Sequence, residues 1–144
     1  MPQLPEEIFK RRLESEFNEL RESEASFEAS EDLARYTIRL NAVSLEKKDA
    51  QVIKRNSHVV QINLKRSYPY AGSVEVVWLT PIFHPNISSD GAVCIQLLNL
   101  WNEGTTIKSI VQGLKQLLEN PNPKDALNKE AAEYFLSHPS LAQQ

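Results

Sequence analysis

The feature that most constrains the fold is an alternation of apolar and polar residues in the middle of the chain. Residues 36–42, 58–65 and 74–79 carry apolar side chains at every second position or in β-branched runs, which is typical of strands with a buried face. A shorter strand is predicted near residues 51–55, and the polar residues 44–50 are predicted to form a loop. Because these strands are sequential and closely spaced, we predict an antiparallel meander of about four strands.

Segments with helical periodicity flank this meander. After Pro5, apolar residues recur on one face of a predicted first helix, at Phe9, Leu13, Phe17 and Leu20. The other faces of this helix carry charged residues, namely Lys10, Arg11, Arg12, Glu14, Glu16 and Glu19. A second helix is predicted from a cap at Thr105 or Thr106 to the stop at Asn120-Pro121-Asn122-Pro123, with its apolar stripe at Ile107, Ile110, Val111, Leu114, Leu117 and Leu118. A last helix ends at Pro139 and carries on one face Leu127, Ala131, Tyr134 and Phe135. The chain is therefore predicted to be a single α+β domain spanning residues 1–144.

The composition argues against several kinds of site. The chain has 144 residues, one cysteine and three histidines, so we expect no internal disulfide, no metal site and no other cofactor. The formal net charge of −3 argues against general binding to nucleic acid. The N-terminal segment lacks the apolar core of a signal peptide, and no apolar run approaches the length of a membrane span. We therefore expect a cytoplasmic location, or a nuclear one in a eukaryote, and no membrane partner.

The stretch HPNISSDGAVCIQLL contains the single cysteine, Cys94. A lone cysteine is usually a buried apolar residue, whereas a nucleophile needs solvent access and a route to the thiolate. A cysteine hydrolase would also need a histidine base. The pattern does not favour one, because His84 is typical of a residue that braces its own turn. His58 lies at an inward-facing strand position, and His138 lies at a helix end.

Two polar residues, one within this stretch and one just before the last helix, have both a structural and a catalytic interpretation. The amide of Asn86 can stabilise an oxyanion if it reaches the carbonyl at the thiol, or it can form the turn after Pro85. Asp125 can cap the last helix, or its carboxylate can orient an incoming amine. The residues alone leave both alternatives open.

The order and spacing of several motifs resemble those of the ubiquitin-conjugating enzymes (E2). His84-Pro85-Asn86 is similar to the HPN motif of that family, and Gly91-Ala92-Val93-Cys94-Ile95 is similar to its active-site segment. The remaining matches follow in the family's order and are Tyr68-Pro69, Trp101, Pro121-Asn122-Pro123 and, in the first helix, Arg11, Arg12, Leu13, Glu16 and Leu20. The resemblance covers most of the chain and implies the UBC-like α+β fold: an N-terminal helix, a β-meander, the active-site segment and two C-terminal helices.

The resemblance also implies an acyltransferase that works through a cysteine thioester. Cys94 would accept ubiquitin or a ubiquitin-like modifier from an activating enzyme (E1) in an ATP-dependent pathway, and would pass it to a substrate lysine. Asn86 would stabilise the oxyanion or hold the adjacent loop, and Asp125 would orient or deprotonate the lysine. His84 and Pro85 would complete the structural motif. Because a thioester is already activated, a lone cysteine without a paired histidine can be catalytic.

Protein partners follow from the same resemblance. Lys10, Arg11 and Arg12 would contact the activating enzyme, although a solvated helix face explains the same triplet. Ligases (E3), most simply of the RING type, would contact two loops whose residues are Tyr70, Ala71, Asn102, Glu103 and Gly104.

Some positions depart from the family's pattern. Tyr70-Ala71-Gly72-Ser73 stands where the family usually has prolines, Asn102-Glu103-Gly104 replaces its usual ligase-loop sequence, and the C-terminus is predicted to be one helix shorter. The modifier, activating enzyme and ligase therefore stay open, and one hypothesis is a divergent or prokaryotic member with its own small modifier. The alternative to an enzyme is a non-catalytic interaction module that binds modifiers. Such variants lack the cysteine, so Cys94 favours the enzyme.

Overall fold

The computed structural model describes residues 2–93 and 104–138, within which one four-stranded sheet packs against helices. The elements in chain order are α1 (Glu6–Glu22), β1 (Ser26–Ala29), β2 (Arg35–Lys48), β3 (Gln51–Leu64), β4 (Val74–Trp78), α2 (Ile107–Glu119), a 3-10 turn (Pro123–Asp125) and α3 (Lys129–Ser137). The strands are antiparallel and lie in the order β1-β2-β3-β4. The predicted α+β architecture is confirmed.

The strands differ from the sequence prediction in a long hairpin. β2 continues through residues 44–48, which we expected to form a loop, and β3 joins the strands predicted at 51–55 and 58–65 into one. The register shifts at a bulge between Asn41 and Ser44. The number of strands still agrees with the prediction, because the short strand β1 was not predicted and pairs with β2.

Tertiary contacts explain why the charged end of this hairpin is extended. Leu45 is buried in a small apolar cluster, and Val52 on the facing strand packs against the same cluster. Arg55 also forms a cross-strand ion pair with Glu46 at 3.4 Å. Packing of Leu45 and Val52 against this cluster and the cross-strand ion pair favour strand geometry here despite the polar composition.

One face of the sheet forms the main core together with α1 and α2. The side chains that β2 and β3 contribute to this core are Tyr36, Ile38, Leu40, Val60, Ile62 and Leu64. Every residue of the predicted α2 stripe is buried, and all except Leu117 belong to this core. The Thr106 side chain accepts the Ser109 N–H, and Ser109 Oγ accepts the Thr106 N–H, so the predicted cap is confirmed as a capping box.

The last helix packs against the far end of the hairpin rather than against the main core. Its residues Ala131 and Phe135 are buried in a cluster with Leu45 and Phe83. Its N-cap is Asn128, whose Oδ1 accepts the Ala131 N–H at 3.0 Å.

This start of α3 corrects two predictions. Asp125 lies upstream of the helix in the 3-10 turn, so its interpretation as the helix cap is wrong. Leu127 was predicted on the apolar face of the helix, but it precedes the first turn and is 46% exposed.

Candidate active site

His84 braces the turn His84-Pro85-Asn86 (the HPN turn) from inside the protein. Its side chain is fully buried, Nδ1 accepts the Asn86 N–H at 3.0 Å, and Nε2 lies 2.8 Å from the Leu117 carbonyl oxygen of α2. With Nδ1 as an acceptor, the ring is neutral and donates its Nε2–H to that carbonyl. Burial lowers the pKa of His84 to about 4, although the hydrogen bond to Leu117 opposes this effect. His84 therefore anchors the turn to α2.

Asn86 and Pro85 hold the loop that follows α2. Asn86 Nδ2 donates to the Asn122 carbonyl oxygen at 2.7 Å, and Asn86 Oδ1 accepts the Asn122 N–H at 2.8 Å. The Pro85 carbonyl oxygen accepts the N–H groups of Leu127 at 2.8 Å and Asn128 at 3.0 Å. The HPN turn thereby fixes both ends of the segment 122–128, which we call the acceptor loop.

Asp125 lies in the middle of the acceptor loop. Its backbone closes the 3-10 turn Pro123–Asp125, and the turn begins with the Asn122 side chain, which accepts the Lys124 N–H at 3.1 Å. The fold therefore ties the segment that carries Asp125 to the HPN turn, across 36 residues of sequence between Asn86 and Asn122.

A short segment leads from the HPN turn along the edge of the sheet towards Cys94. Gly91 interacts with β4 there, because its carbonyl oxygen accepts the Trp78 N–H at 2.7 Å. Gly91 has a φ of +97°, and a Cβ at this position would lie 2.4 Å from the Trp78 carbonyl oxygen. Only glycine fits both the backbone conformation and the close approach. Three predicted site residues lie outside the described ranges and are Cys94, Asn102 and Glu103, as does Trp101 of the family resemblance.

The described residues that we expect to contact ligases lie on two neighbouring turns. Tyr70 is half-buried and Ala71 is exposed in the turn that follows Tyr68-Pro69, while Gly104 is exposed just before α2. The Tyr68 hydroxyl lies 3.2 Å from the Thr105 carbonyl oxygen. The fold thus brings together the turns that carry Tyr70 and Gly104.

The basic triplet of α1 is divided between solvent and protein. Lys10 and Arg11 are exposed, and Lys10 forms a surface ion pair with Glu6 at 3.4 Å. Arg12 instead has a side chain that is only 25% exposed, and its guanidinium lies over the Tyr68 ring at 5.3 Å from the centroid. A solvated helix face therefore describes Lys10 and Arg11 but not Arg12.

Glu16 has a position that the sequence prediction missed. We placed it on the charged faces of the helix, yet it is 4% exposed. Its carboxylate accepts hydrogen bonds from Arg12, Tyr68 and the backbone of Ile107. The signal was available in its spacing, because Glu16 falls three residues after Leu13, within the buried stripe. A carboxylate at such a position needs hydrogen-bonding partners.

In residues 2–93 and 104–138, no three His, Cys, Asp or Glu side chains are grouped as metal ligands would be. The helices in these ranges are also too short or too polar to cross a bilayer.

A family model described as ubiquitin-conjugating enzyme matches residues 12–144 of this chain. The chain belongs to the ubiquitin-conjugating enzyme family. The solved E2 domain of a Toxoplasma gondii ubiquitin conjugating enzyme has a similar fold, with a TM-score of 0.72, 24% sequence identity, and coverage of 92% of this chain and 90% of that one. The expected UBC fold is therefore confirmed.

Curated relatives support the same class of enzyme. A probable ubiquitin-conjugating enzyme of Acanthamoeba polyphaga mimivirus is 29% identical over 129 residues, which cover 87% of this chain and 81% of the viral protein. A Nedd8-conjugating enzyme of Drosophila melanogaster is 43% identical over 76 residues, 52% of this chain and 41% of the fly protein. A NEDD8-conjugating enzyme of Schizosaccharomyces pombe is 38% identical over 97 residues, 66% of this chain and 54% of the yeast protein. The expectation of a conjugating enzyme is confirmed, and the chain spans only about half of the two NEDD8 relatives.

Proposed function

We propose that this conjugating enzyme carries ubiquitin or a ubiquitin-like modifier on Cys94 and transfers it to substrate lysines. The Cys94 thiol loses its proton and attacks the thioester on the activating enzyme, whose own cysteine leaves. A lysine amine then attacks the new thioester, an isopeptide bond forms, the amine loses a proton, and Cys94 leaves as a thiolate. The activating enzyme supplies the energy of ATP, so the conjugating enzyme needs no cofactor for either step.

The observation that carries this proposal is the attachment of the acceptor loop to the HPN turn. Two adjacent residues, Pro85 and Asn86, hold both ends of the loop that carries Asp125. The same turn continues, through the close contact of Gly91 with Trp78, to the residue before Cys94. The acceptor loop and the segment that ends at Val93 are thereby connected to the same turn, and this supports a reaction between an amine and a thioester on Cys94.

Asn86 and Asp125 have distinct roles in this proposal. Asn86 holds the acceptor loop through its two hydrogen bonds to Asn122 and contributes to oxyanion stabilisation when the amine attacks. Asp125 orients the lysine and accepts its proton. His84 takes no proton in the reaction, because both of its ring nitrogens have backbone partners.

The partners follow from the family and from the exposed residues. The proposed modifier is ubiquitin or a ubiquitin-like protein such as NEDD8, the modifier named for two of the relatives. Lys10 and Arg11, which are exposed on α1, would contact the activating enzyme. Ligases of the RING type would contact Tyr70, Ala71 and Gly104, with Asn102 and Glu103. The proposed location is the cytoplasm, or the nucleus in a eukaryote.

A loading assay tests the proposal. The protein is mixed with ATP and with ubiquitin or NEDD8, each with its own activating enzyme, and gels are run with and without reducing agent. We expect an adduct that reducing agent removes, that Cys94→Ala abolishes, and that Cys94→Ser converts into an oxyester resistant to thiols. Loading of Cys94→Ala equal to the wild type would show that Cys94 is not the carrier. Non-covalent binding of modifier without any adduct would instead support the non-catalytic module.

A further inference from the structure

The carboxylate of Glu16 is hydrogen-bonded on both of its oxygens inside the protein. Oε1 accepts the Tyr68 hydroxyl at 2.5 Å and the Ile107 N–H at 2.9 Å, and Oε2 accepts the Arg12 Nε–H at 2.7 Å. Its side chain is 5% exposed. Burying a carboxylate is costly unless its oxygens are paired in this way, so these three donors and Glu16 depend on one another.

The three donors belong to three separate segments. Arg12 is on α1, Tyr68 begins the turn that carries Tyr70, and Ile107 is the first residue of α2. The N–H of Ile107 is one of the helix-terminal groups without a partner inside the helix, so a carboxylate is favourable there. Arg12 Nη2 also donates to the Thr105 carbonyl oxygen at 3.0 Å, which closes the network.

The charge of Glu16 also affects the tyrosine. Burial raises the pKa of Tyr68, and the nearby negative charge of Glu16 raises it further. Tyr68 therefore remains a hydroxyl donor to Glu16 across the physiological pH range, and the network keeps a single pattern of donors and acceptor.

We infer that Glu16 is a positioning residue, whose carboxylate fixes the Tyr68 turn and the start of α2 relative to Arg12 so that partner proteins meet one preformed surface. The inference rests on the proposed function where it assigns that surface to the activating enzyme and ligases. The contacts of Glu16 with the three segments do not depend on that function. The two parts can therefore be tested separately.

Two substitutions separate the charge from the volume of Glu16. In Glu16→Gln the single amide oxygen accepts hydrogen bonds either from Tyr68 and Ile107 or from Arg12. The amide NH₂ then faces the remaining donor, with which it forms no hydrogen bond. In Glu16→Leu an apolar side chain of similar volume keeps the helix stripe filled and removes all the hydrogen bonds to the carboxylate. The matched control is Glu19→Gln, which removes the same charge from an exposed position of α1.

Hydrogen–deuterium exchange of the free protein tests the coupling of the segments. In Glu16→Leu we expect exchange to rise about tenfold both in residues 68–73 and at Ile107, with β2 and β3 unchanged. Glu19→Gln should exchange like the wild type. Unchanged exchange in residues 68–73, or a uniform rise in every segment, would overturn the positioning role. If Glu16→Leu does not fold, Glu16→Gln is compared in the same way.

Loading kinetics test what the arrangement does. With the modifier and activating enzyme that load the wild type, we expect Glu16→Gln and Glu16→Leu to raise the KM for the conjugating enzyme about fivefold, with kcat within about twofold. Discharge of the preloaded thioester to free lysine without a ligase should also stay within about twofold. An unchanged KM would overturn the link to partners. No loading of the wild type by any pair would contradict the proposed function alone, while the exchange experiment would still decide whether Glu16 couples the segments.

Discussion

Two hydrogen bonds join the side chain of Asn86 to the backbone of Asn122. The amide NH₂ of Asn86 donates to the Asn122 carbonyl at 2.7 Å, and its oxygen accepts the Asn122 N–H at 2.8 Å. Asn86 is fully buried and Asn122 is half-buried, so the two bonds are partly shielded from water. Asn122 contributes only its backbone to these bonds, so substitution of Asn86 breaks them and substitution of the Asn122 side chain does not. The two alanine variants therefore form a matched comparison.

We predict that Asn86→Ala lowers the free energy of unfolding by about 2–5 kcal/mol, because it removes a fully buried side chain and leaves two backbone groups of the half-buried Asn122 without their partner. Asn122→Ala keeps those backbone groups and loses only the cap on Lys124, so it should cost about 1 kcal/mol. Urea unfolding of the two variants measures the difference. Equal costs would contradict the assignment of these hydrogen bonds to the Asn86 side chain.

The same variant distinguishes the two roles of Asn86 in the reaction. If Asn86 stabilises the oxyanion, Asn86→Ala slows transfer from Cys94 to lysine more than it slows loading of Cys94, by about tenfold or more. Single-turnover rates of the two steps, measured well below the unfolding temperature, provide the test. Equal slowing of both steps would contradict the oxyanion role. A double variant Asn86→Ala/Asp125→Asn that transfers no more slowly than Asp125→Asn would assign the effect of Asn86 to the acceptor loop alone.

We predict that Gly91→Ala is much more harmful than Gly72→Ala, although both glycines have positive φ. The two φ values are +97° and +79°, but a Cβ at position 91 would lie 2.4 Å from the Trp78 carbonyl oxygen, whereas nothing lies within 4 Å of one at position 72. Gly72→Ala should cost about 1–2 kcal/mol of unfolding free energy from backbone strain alone. Gly91→Ala should cost several kcal/mol more and should also reduce loading of Cys94. Similar losses of stability in the two variants would show that the contact with Trp78 is not limiting.

The spacing of apolar residues predicted the helices and the meander, because in each of these elements the apolar residues fall on one face. The hairpin was mispredicted because residues 44–48 are polar along the chain. Their strand geometry depends on the burial of Leu45 beside Phe83 and Phe135, which lie far away in sequence. A strand as short as β1, with only Phe27 and Ala29 turned inward, carries too weak an alternating pattern to be distinguished from a loop.

In the candidate site, too, local motifs could be predicted and contacts between distant segments could not. The HPN turn could be located from its motif, and His84 could be interpreted as a brace. The attachment of that turn to Asn122 and Leu127 is a tertiary arrangement that residue spacing does not encode. Glu16 was placed on a charged face although its spacing from Leu13 indicated burial, and its partners Tyr68 and Ile107 are 52 and 91 residues away.

We predict that His84 makes stability depend on pH between about 6.5 and 4. The folded pKa of about 4 lies below the ordinary value of 6.5, so the unfolded chain binds more protons than the folded one in this window. The stabilising effect is therefore complete above pH 6.5 and is lost as the pH falls towards 4. Relative to His84→Gln, the wild type should lose on the order of 3 kcal/mol of unfolding free energy across this window.

Urea unfolding at a series of pH values measures this slope, and the ring resonances of His84 report its protonation directly. His138→Gln removes an exposed imidazole and is the matched control for loss of one histidine. The same slope in the wild type and in His84→Gln would contradict the neutral, buried ring.

We predict that Asp125→Asn slows the discharge of modifier from Cys94 to free lysine, and that the defect shrinks as the pH rises. A lysine amine has an ordinary pKa of about 10.4, so near pH 7 almost all of it must lose a proton during the reaction. In the proposed function, Asp125 on the acceptor loop, whose ends are held by Pro85 and Asn86, orients the amine and accepts that proton. We expect a loss of about tenfold or more at pH 7 and of only about two- to threefold at pH 9.5, where much more free amine is present. The use of preloaded thioester removes any effect on loading from the measurement. Glu133→Gln, at an exposed position of α3, is the control for the loss of one carboxylate. A defect of constant size across this pH range would show that Asp125 neither accepts the proton nor lowers the cost of removing it.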